Sequence, residues 1–352
     1  MKDIYPWQKN DWARLQELRR RPAHGLLFKG ARGIGKFDLA LNFAQSLLCQ
    51  HPDESGFACG TCPSCHWFTQ ASHPDFRLLQ PDMSAIKEAE TNLQAWVWTR
   101  RLAEEALEEQ ARKDKKPSKE ITIDQVRGLA DFIGMSAHQG GRRVVVIYPA
   151  EAMNINTANA LLKNLEEPPQ GLLFILVSHK PQQLLPTILS RCLSFALSAP
   201  DAQSASRWLA EQGVKNSAEA LAASGFAPLQ VIQQDQQLGS EERDKLLRAV
   251  RQPTELDVFA LAEALQKTEQ VLVVQWLQQW CYDLSSMKQT GRLRYHPGEE
   301  TAIKKLVEPI DPLNLARLQK HLQTAKREAQ HTLNPKLFFE SLLLAYRQSM
   351  VG

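Results

Sequence analysis

Long hydrophobic runs are missing from this chain. No stretch approaches the roughly 18 apolar residues that a membrane helix needs, so no membrane partner is expected. Met1 to Trp7 likewise lacks the uninterrupted apolar run of a secretory signal. There is no excess of either charge. The 42 Lys and Arg against 39 Asp and Glu leave a net charge of +3 over 352 residues, which gives no ground for a broad basic face that binds nucleic acid. Cysteine is scarce as well. Six, unevenly placed, are too few for a disulfide scaffold and point to the reducing cytoplasm. The remaining make-up, 43% apolar and 23% charged, suits a globular protein of two or three domains with a substantial core.

The most telling absence is one hydroxyl. Residues 30–37 read Gly-Ala-Arg-Gly-Ile-Gly-Lys-Phe, so Gly30, Gly35 and Lys36 fall on the GxxxxGK frame of a phosphate-binding loop, with Gly33 inside it. That frame ends in Ser or Thr, whose oxygen binds the magnesium carried by the nucleotide. Phe37 stands there instead and has no oxygen to offer. The flanking context is otherwise right, with Leu26 to Phe28 as a strand and Phe37 to Leu48 as a helix.

Further buried strands are expected at Val144 to Ile147 and Leu172 to Val177, because continuous apolar runs suit parallel strands covered on both faces. Between them, Asn156 to Glu167 reads as a helix stopped by Pro168 and Pro169. The alternation predicts an open parallel α/β sheet up to about residue 195. Residues 84–120 are charge-rich and carry Trp96 and Trp98; they read as an exposed helical insertion with a flexible basic end. Lys113, Lys115 and Lys116 there read as a solvated face in preference to a nucleic-acid contact. After Pro200 the strand signals stop. Short helices are expected to residue 240, and long amphipathic ones such as Val271 to Leu284 and Leu337 to Tyr346 beyond it.

Cys49, Cys59, Cys62 and Cys65 form the pattern C-x9-C-x2-C-x2-C. Two consecutive CxxC steps let three thiolates converge on one ion, and Cys49 can close a tetrahedron. With no open position left, a zinc ion there is structural. Iron–sulfur ligation is a second use of four cysteines but lacks other redox features to support it. His51, His66 and His73 lie close enough in sequence to replace a cysteine, though none is needed. Cys192 and Cys281 read as small buried apolar residues.

A P-loop ATPase also needs acidic residues at the end of a second strand. After Val144 to Ile147 come Tyr148, Pro149, Ala150 and Glu151; Glu151 lies three residues late and reads as the cap or first turn of the next helix. The magnesium site therefore fails at both ends, while Lys36 and the glycine amides can still attract a phosphate weakly.

Two runs carry a resemblance. Asn159 to Pro169 (Asn-Ala-Leu-Leu-Lys-Asn-Leu-Glu-Glu-Pro-Pro) and Leu185 to Cys192 (Leu-Pro-Thr-Ile-Leu-Ser-Arg-Cys) look like the signature of AAA+ clamp-loader subunits. The cysteine knuckle behind the P-loop helix narrows the resemblance to bacterial DNA polymerase III. Tyr5-Pro6-Trp7, the His73-Pro74-Asp75 step and the impaired ATP site narrow it to the delta prime branch. It covers essentially the whole chain.

The resemblance implies an α/β P-loop AAA+ domain over 1–198, with a zinc module at 49–65 and the charged insertion at 84–120. A small helical lid at 199–245 and an all-α collar at 246–352 follow. Aligned on Asn159, the motor subunits' acidic pair falls on Tyr148 and Pro149, and their lid arginine on Pro228. The chain is thus expected to be a non-catalytic stator, with ATP binding by its own loop doubtful. Arg191 is expected to reach a neighbour's ATP site as an arginine finger, with Ser190 and Cys192 shaping its turn. Implied partners are the gamma/tau ATPase subunits and the delta subunit, with the sliding clamp and primer-template DNA reached through the complex at the nucleoid. Two other readings stand beside this one: an active ATPase holding magnesium through Glu151, and a zinc-dependent DNA-binding module.

Overall fold

Five strands form one parallel sheet: β1 (Gly25–Lys29), β2 (Phe76–Leu79), β3 (Arg143–Ile147), β4 (Leu172–Ser178) and β5 (Leu193–Ala196), in the order β2-β3-β4-β1-β5. The computed structural model describes residues 4–19, 24–91, 96–113, 116–138, 141–235, 240–329 and 333–351. Side chains alternate between the faces, as the pleat requires. Leu26, Phe28, Val144 and Val146 enter one apolar layer with the helix Lys36–Leu48, while Leu27, Val145, Ile147 and Phe174 enter the other with Leu161 and Leu165 of the helix Ile155–Glu166. Burial on both faces is why β1, β3 and β4 read as unbroken apolar runs. The expected parallel α/β architecture is borne out.

β2 and β5 escape the sequence reading. β2 has only four residues, with Arg77 exposed among them, and β5 is an edge strand in which Phe195 alone is buried. Neither presents a continuous apolar run. The stretch 84–120 needs a correction too. It is helical, over Asp82–Thr91 and Val97–Lys113, but it is not exposed throughout. Trp96 and Trp98 are buried in the same layer as the P-loop helix; the Trp98 indole donates to the Phe68 carbonyl at 2.9 Å and lies 4.6 Å from the Phe76 ring. Two tryptophans bury more apolar area than the surrounding charges can keep in water. The rest of the second helix does face solvent, laced by Arg101–Glu105, Glu108–Arg112 and Glu109–Lys113 pairs at i,i+4 spacing. Lys116 is exposed, whereas Lys115 lies outside the described residues.

The chain divides into two compact units, residues 1–204 and 205–352. In the second, every regular element among the described residues is helical. Its core is organised around the helix Gln270–Thr290: the fully buried Trp280 donates to the Tyr346 hydroxyl at 2.9 Å, which donates in turn to the Val250 carbonyl at 2.7 Å. The buried carboxylate of Asp283 accepts the backbone amides of Arg294, Tyr295 and His296, which satisfies those donors inside the core. Cys281 is buried here, and Cys192 in the first unit, as expected of small apolar residues. No helix among the described residues is long and apolar enough to cross a membrane.

Candidate functional site

In an open parallel sheet the strands' carboxyl ends line one edge, where ligands bind in doubly wound folds. β1 runs there into the loop holding Gly30, Gly33, Gly35 and Lys36; β3 runs into Tyr148, and β4 into His179. Gly35 takes the left-handed conformation, at φ +82°, immediately before the helix Lys36–Leu48. A Cβ on it would sit 2.5 Å from the Tyr5 ring.

The loop is gripped by the start of the chain. The Trp7 indole and the Gln8 amide both donate to the Ile34 carbonyl, at 3.1 and 3.0 Å, and Gln8 also donates to the Gly35 carbonyl at 2.8 Å. Tyr5 reaches Asp38 at 3.3 Å, and Trp96 donates to the other oxygen of Asp38 at 2.9 Å. Gly35→Ala is therefore expected to cost about 2–4 kcal/mol, combining left-handed strain with overpacking against Tyr5. Urea denaturation checks it, and a midpoint unchanged from wild type would contradict this packing.

Lys36 is 2% exposed, and its ammonium donates back to the Ala31 carbonyl at 2.5 Å. Burial pulls its pKa down to about 8, with Arg32 adding to the shift and Glu151 opposing it. His179 is pushed down to about 3, by burial first and then by Lys36, Arg32 and Lys180, so it stays neutral. The loop keeps a cationic character that suits an anion.

The place of the magnesium ligands is different. The Phe37 ring stacks on Tyr148, with centroids 4.2 Å apart and planes 11° from parallel. The position that should bring a hydroxyl and the position that should bring a carboxylate hold each other as an aromatic pair. Glu151 lies in the 3-10 turn Ala150–Ala152, and one of its oxygens accepts the His179 backbone amide at 2.9 Å. Phe37 and Tyr148 bring neither the hydroxyl nor the carboxylate that hold magnesium in a P-loop ATPase.

The four cysteines do meet. Their sulfurs all lie within 4.8 Å of one another, and among the described residues they are the group able to hold a metal. Sulfur–sulfur separations of 3.5 Å (Cys49–Cys59), 3.9 Å (Cys49–Cys62) and 4.0 Å (Cys59–Cys65) match the edge of about 3.8 Å for a tetrahedron with metal–sulfur bonds of about 2.3 Å. Disulfide sulfurs would lie at about 2.05 Å, and all six cysteines are free.

Backbone amides point at these sulfurs: Cys59 N–H at Cys49, Cys62 N–H at Cys59 and Cys65 N–H at Cys62, over 3.2–3.4 Å. The amides of Thr61 and Cys62, with the Thr61 hydroxyl, bring the Cys59 thiol down to about 5, favouring the thiolate that a metal requires. The three histidines lie outside the cluster. His73 accepts the Asp75 amide at Nδ1 and meets the Ser64 hydroxyl through Nε2 at 2.7 Å; Ser64 donates on to the Leu48 carbonyl. His73 thus ties the knuckle's helix, Pro63–Thr69, to the end of the P-loop helix. Its nitrogens are already engaged.

Arg191 ends the short helix Pro186–Arg191. Its Nη1 donates to the Thr187 carbonyl at 3.0 Å and to the Ser190 hydroxyl at 3.3 Å, while Nη2 lies 2.7 Å from Glu166. The neighbouring Cys192 turns inward, its sulfur 3.0 Å from where a Cβ on Gly25 would stand, so a side chain at the start of β1 would crowd it. Sequence reasoning missed the Glu166 contact, the grip of Tyr5 to Gln8 on the loop, and the stacking of Phe37 on Tyr148. Only the last left a signal, since both departures from the P-loop pattern are aromatic.

A family model described as DNA polymerase III, delta subunit, matches residues 8–201, and its C-terminal counterpart matches residues 237–348. The chain is 38% identical over 286 residues to DNA polymerase III subunit delta' of Pseudomonas aeruginosa, covering 80% of this chain and 76% of that one. The protein of that name from Haemophilus influenzae is 28% identical over 280 residues, or 77% and 75% of the two chains. The one from Yersinia pestis is 26% identical over 360 residues, spanning 98% and 96%.

Proposed function

The chain belongs to the DNA polymerase III delta-subunit family, and on that premise we propose that it is the non-catalytic stator of the polymerase's clamp loader. It supplies Arg191 in trans to the ATP site of a neighbouring gamma/tau subunit and stands in a ring with them and the delta subunit. Nucleotide binding in that ring loads the sliding clamp on primer-template DNA, in the cytoplasm at the nucleoid. Residues 1–198 serve as the AAA+ domain, 199–245 as the lid and 246–352 as the collar.

The observation that carries the non-catalytic half is the Phe37–Tyr148 stack. Hydrolysis needs a metal to neutralise charge on the transferring phosphoryl group and a carboxylate to polarise water, and this pair brings neither the hydroxyl at position 37 nor a carboxylate at position 148. Gly30, Gly33, Gly35 and Lys36 retain at most a weak grip on phosphate. The four cysteines hold a structural zinc.

Steady-state ATP hydrolysis tests this reading. The isolated chain is expected to be silent, and its addition to the ATPase subunits is expected to raise their turnover. Phe37→Thr restores the hydroxyl but not the carboxylates. It is expected to stay silent while losing about 2–4 kcal/mol of stability with the buried ring. Turnover by the isolated wild-type chain that disappears in Lys36→Ala would instead establish an active ATPase.

A further inference from the structure

From the geometry around Arg191 we infer that Glu166 is a positioning residue for its guanidinium, an inference that rests on the arginine-finger reading above. The two residues come from different elements, Glu166 from the last turn of the helix Ile155–Glu166 and Arg191 from the end of the helix Pro186–Arg191, and they meet at 2.7 Å. Helix stability does not account for Glu166. A carboxylate in the last turn sits beside the negative end of the helix dipole, where a cation would be favoured. Pro168 and Pro169 prevent a further turn, so the carboxylate is fixed at that end. Its partner is Arg191.

The contacts of Arg191 define a direction. Thr187 and Ser190 take Nη1, and Glu166 takes one hydrogen of Nη2, which is three of the five N–H groups of a guanidinium. The Nε hydrogen and the second Nη2 hydrogen remain for a phosphate oxygen. The pair is reachable from outside, with the two side chains 34% and 47% exposed. An arginine that swings freely must lose that freedom when it meets the phosphate; one already held by a carboxylate has lost it beforehand, which is what orientation contributes to rate.

The test uses this chain assembled with its ATPase partners, all but the one it faces silenced at their P-loop lysines so that the other sites do not mask a loss. In single-turnover hydrolysis, Glu166→Ala is expected to lower the rate constant about tenfold with the apparent KM for ATP unchanged. Glu166→Gln, which keeps an oxygen acceptor at the same place, is expected to recover most of the loss. In an Arg191→Ala background, Glu166→Ala is expected to add nothing.

A wild-type rate in Glu166→Ala, or an equal loss from Glu166→Ala with and without Arg191, overturns the positioning role and leaves the finger standing. A wild-type rate in Arg191→Ala alone overturns the finger itself. Thermal melting of each variant keeps a folding defect from passing as either result.

Discussion

Arg191→Ala is expected to abolish most ATP turnover at the one site that this chain faces, by roughly 10³-fold or more, while leaving the chain's own fold intact. The size follows from what an arginine finger does: a fixed cation meets charge on the γ-phosphate in a water-poor site, and such groups are worth roughly 10³–10⁵ in rate. The intact fold follows from the surroundings. The Arg191–Glu166 pair is partly exposed on both sides, and pairs of that kind contribute about 0–1 kcal/mol.

Arg191→Lys is expected to recover little. An ammonium is a point charge on a flexible stem and cannot give Thr187, Ser190, Glu166 and a phosphate each a hydrogen in one plane. The measurement needs a ring in which the remaining ATPase subunits are silenced at their P-loop lysines, because untouched sites would mask the loss. Undiminished turnover at the remaining site in Arg191→Ala would sink the finger.

The parts of this molecule that sequence made legible are those written in local pattern. β1, β3 and β4 announce themselves because both faces of each are buried, so almost every residue is apolar. The cysteine knuckle is legible because CxxC spacing is itself a geometric statement about where sulfurs can go. Contacts between distant residues stayed hidden. Nothing near Phe37 says that Tyr148, just past the end of a strand separated from β1 by β4, will lie flat against it. Nor does anything near Trp96 mark it for Asp38; in a charge-rich stretch it read as part of an exposed helix. Lys163, Glu166 and Glu167 are three charged residues near the end of the helix Ile155–Glu166, and nothing in the sequence ranks them. What singles out Glu166 is Arg191, and that contact exists only once the two helix ends are brought together.

Removing the metal from the cysteine knuckle is the other large effect expected. Cys65→Ser, or exhaustive chelation, should unfold residues 49–65 and destabilise the first unit by on the order of 5 kcal/mol, a fraction of the roughly 10–16 kcal/mol that structural zinc contributes to small zinc-dependent folds. The fraction is smaller because this loop has protein contacts of its own. Phe57 stacks on Trp12 with centroids 4.2 Å apart, the Trp12 indole donates to the Ser55 carbonyl at 2.9 Å, and the His73–Ser64–Leu48 relay anchors the helix that follows.

The effect is still large because of where the cluster sits. Cys65 is 1% exposed, and burial raises its thiol pKa far above the ordinary value, so without a metal it is a neutral thiol packed against three others. With a metal the four sulfurs become the closed end of the P-loop helix, since Cys49 is its C-terminal cap residue. Losing the ion should therefore fray that helix from its far end and loosen Phe68, Trp98 and the β2 edge packed beside it. Elemental analysis is expected to find one zinc and no iron per chain, and thermal melting is expected to fall in Cys65→Ser but not in Cys281→Ala by any route through metal. A chain that purifies without metal and melts as the metal-replete protein does would show that the four sulfurs pack as thiols alone.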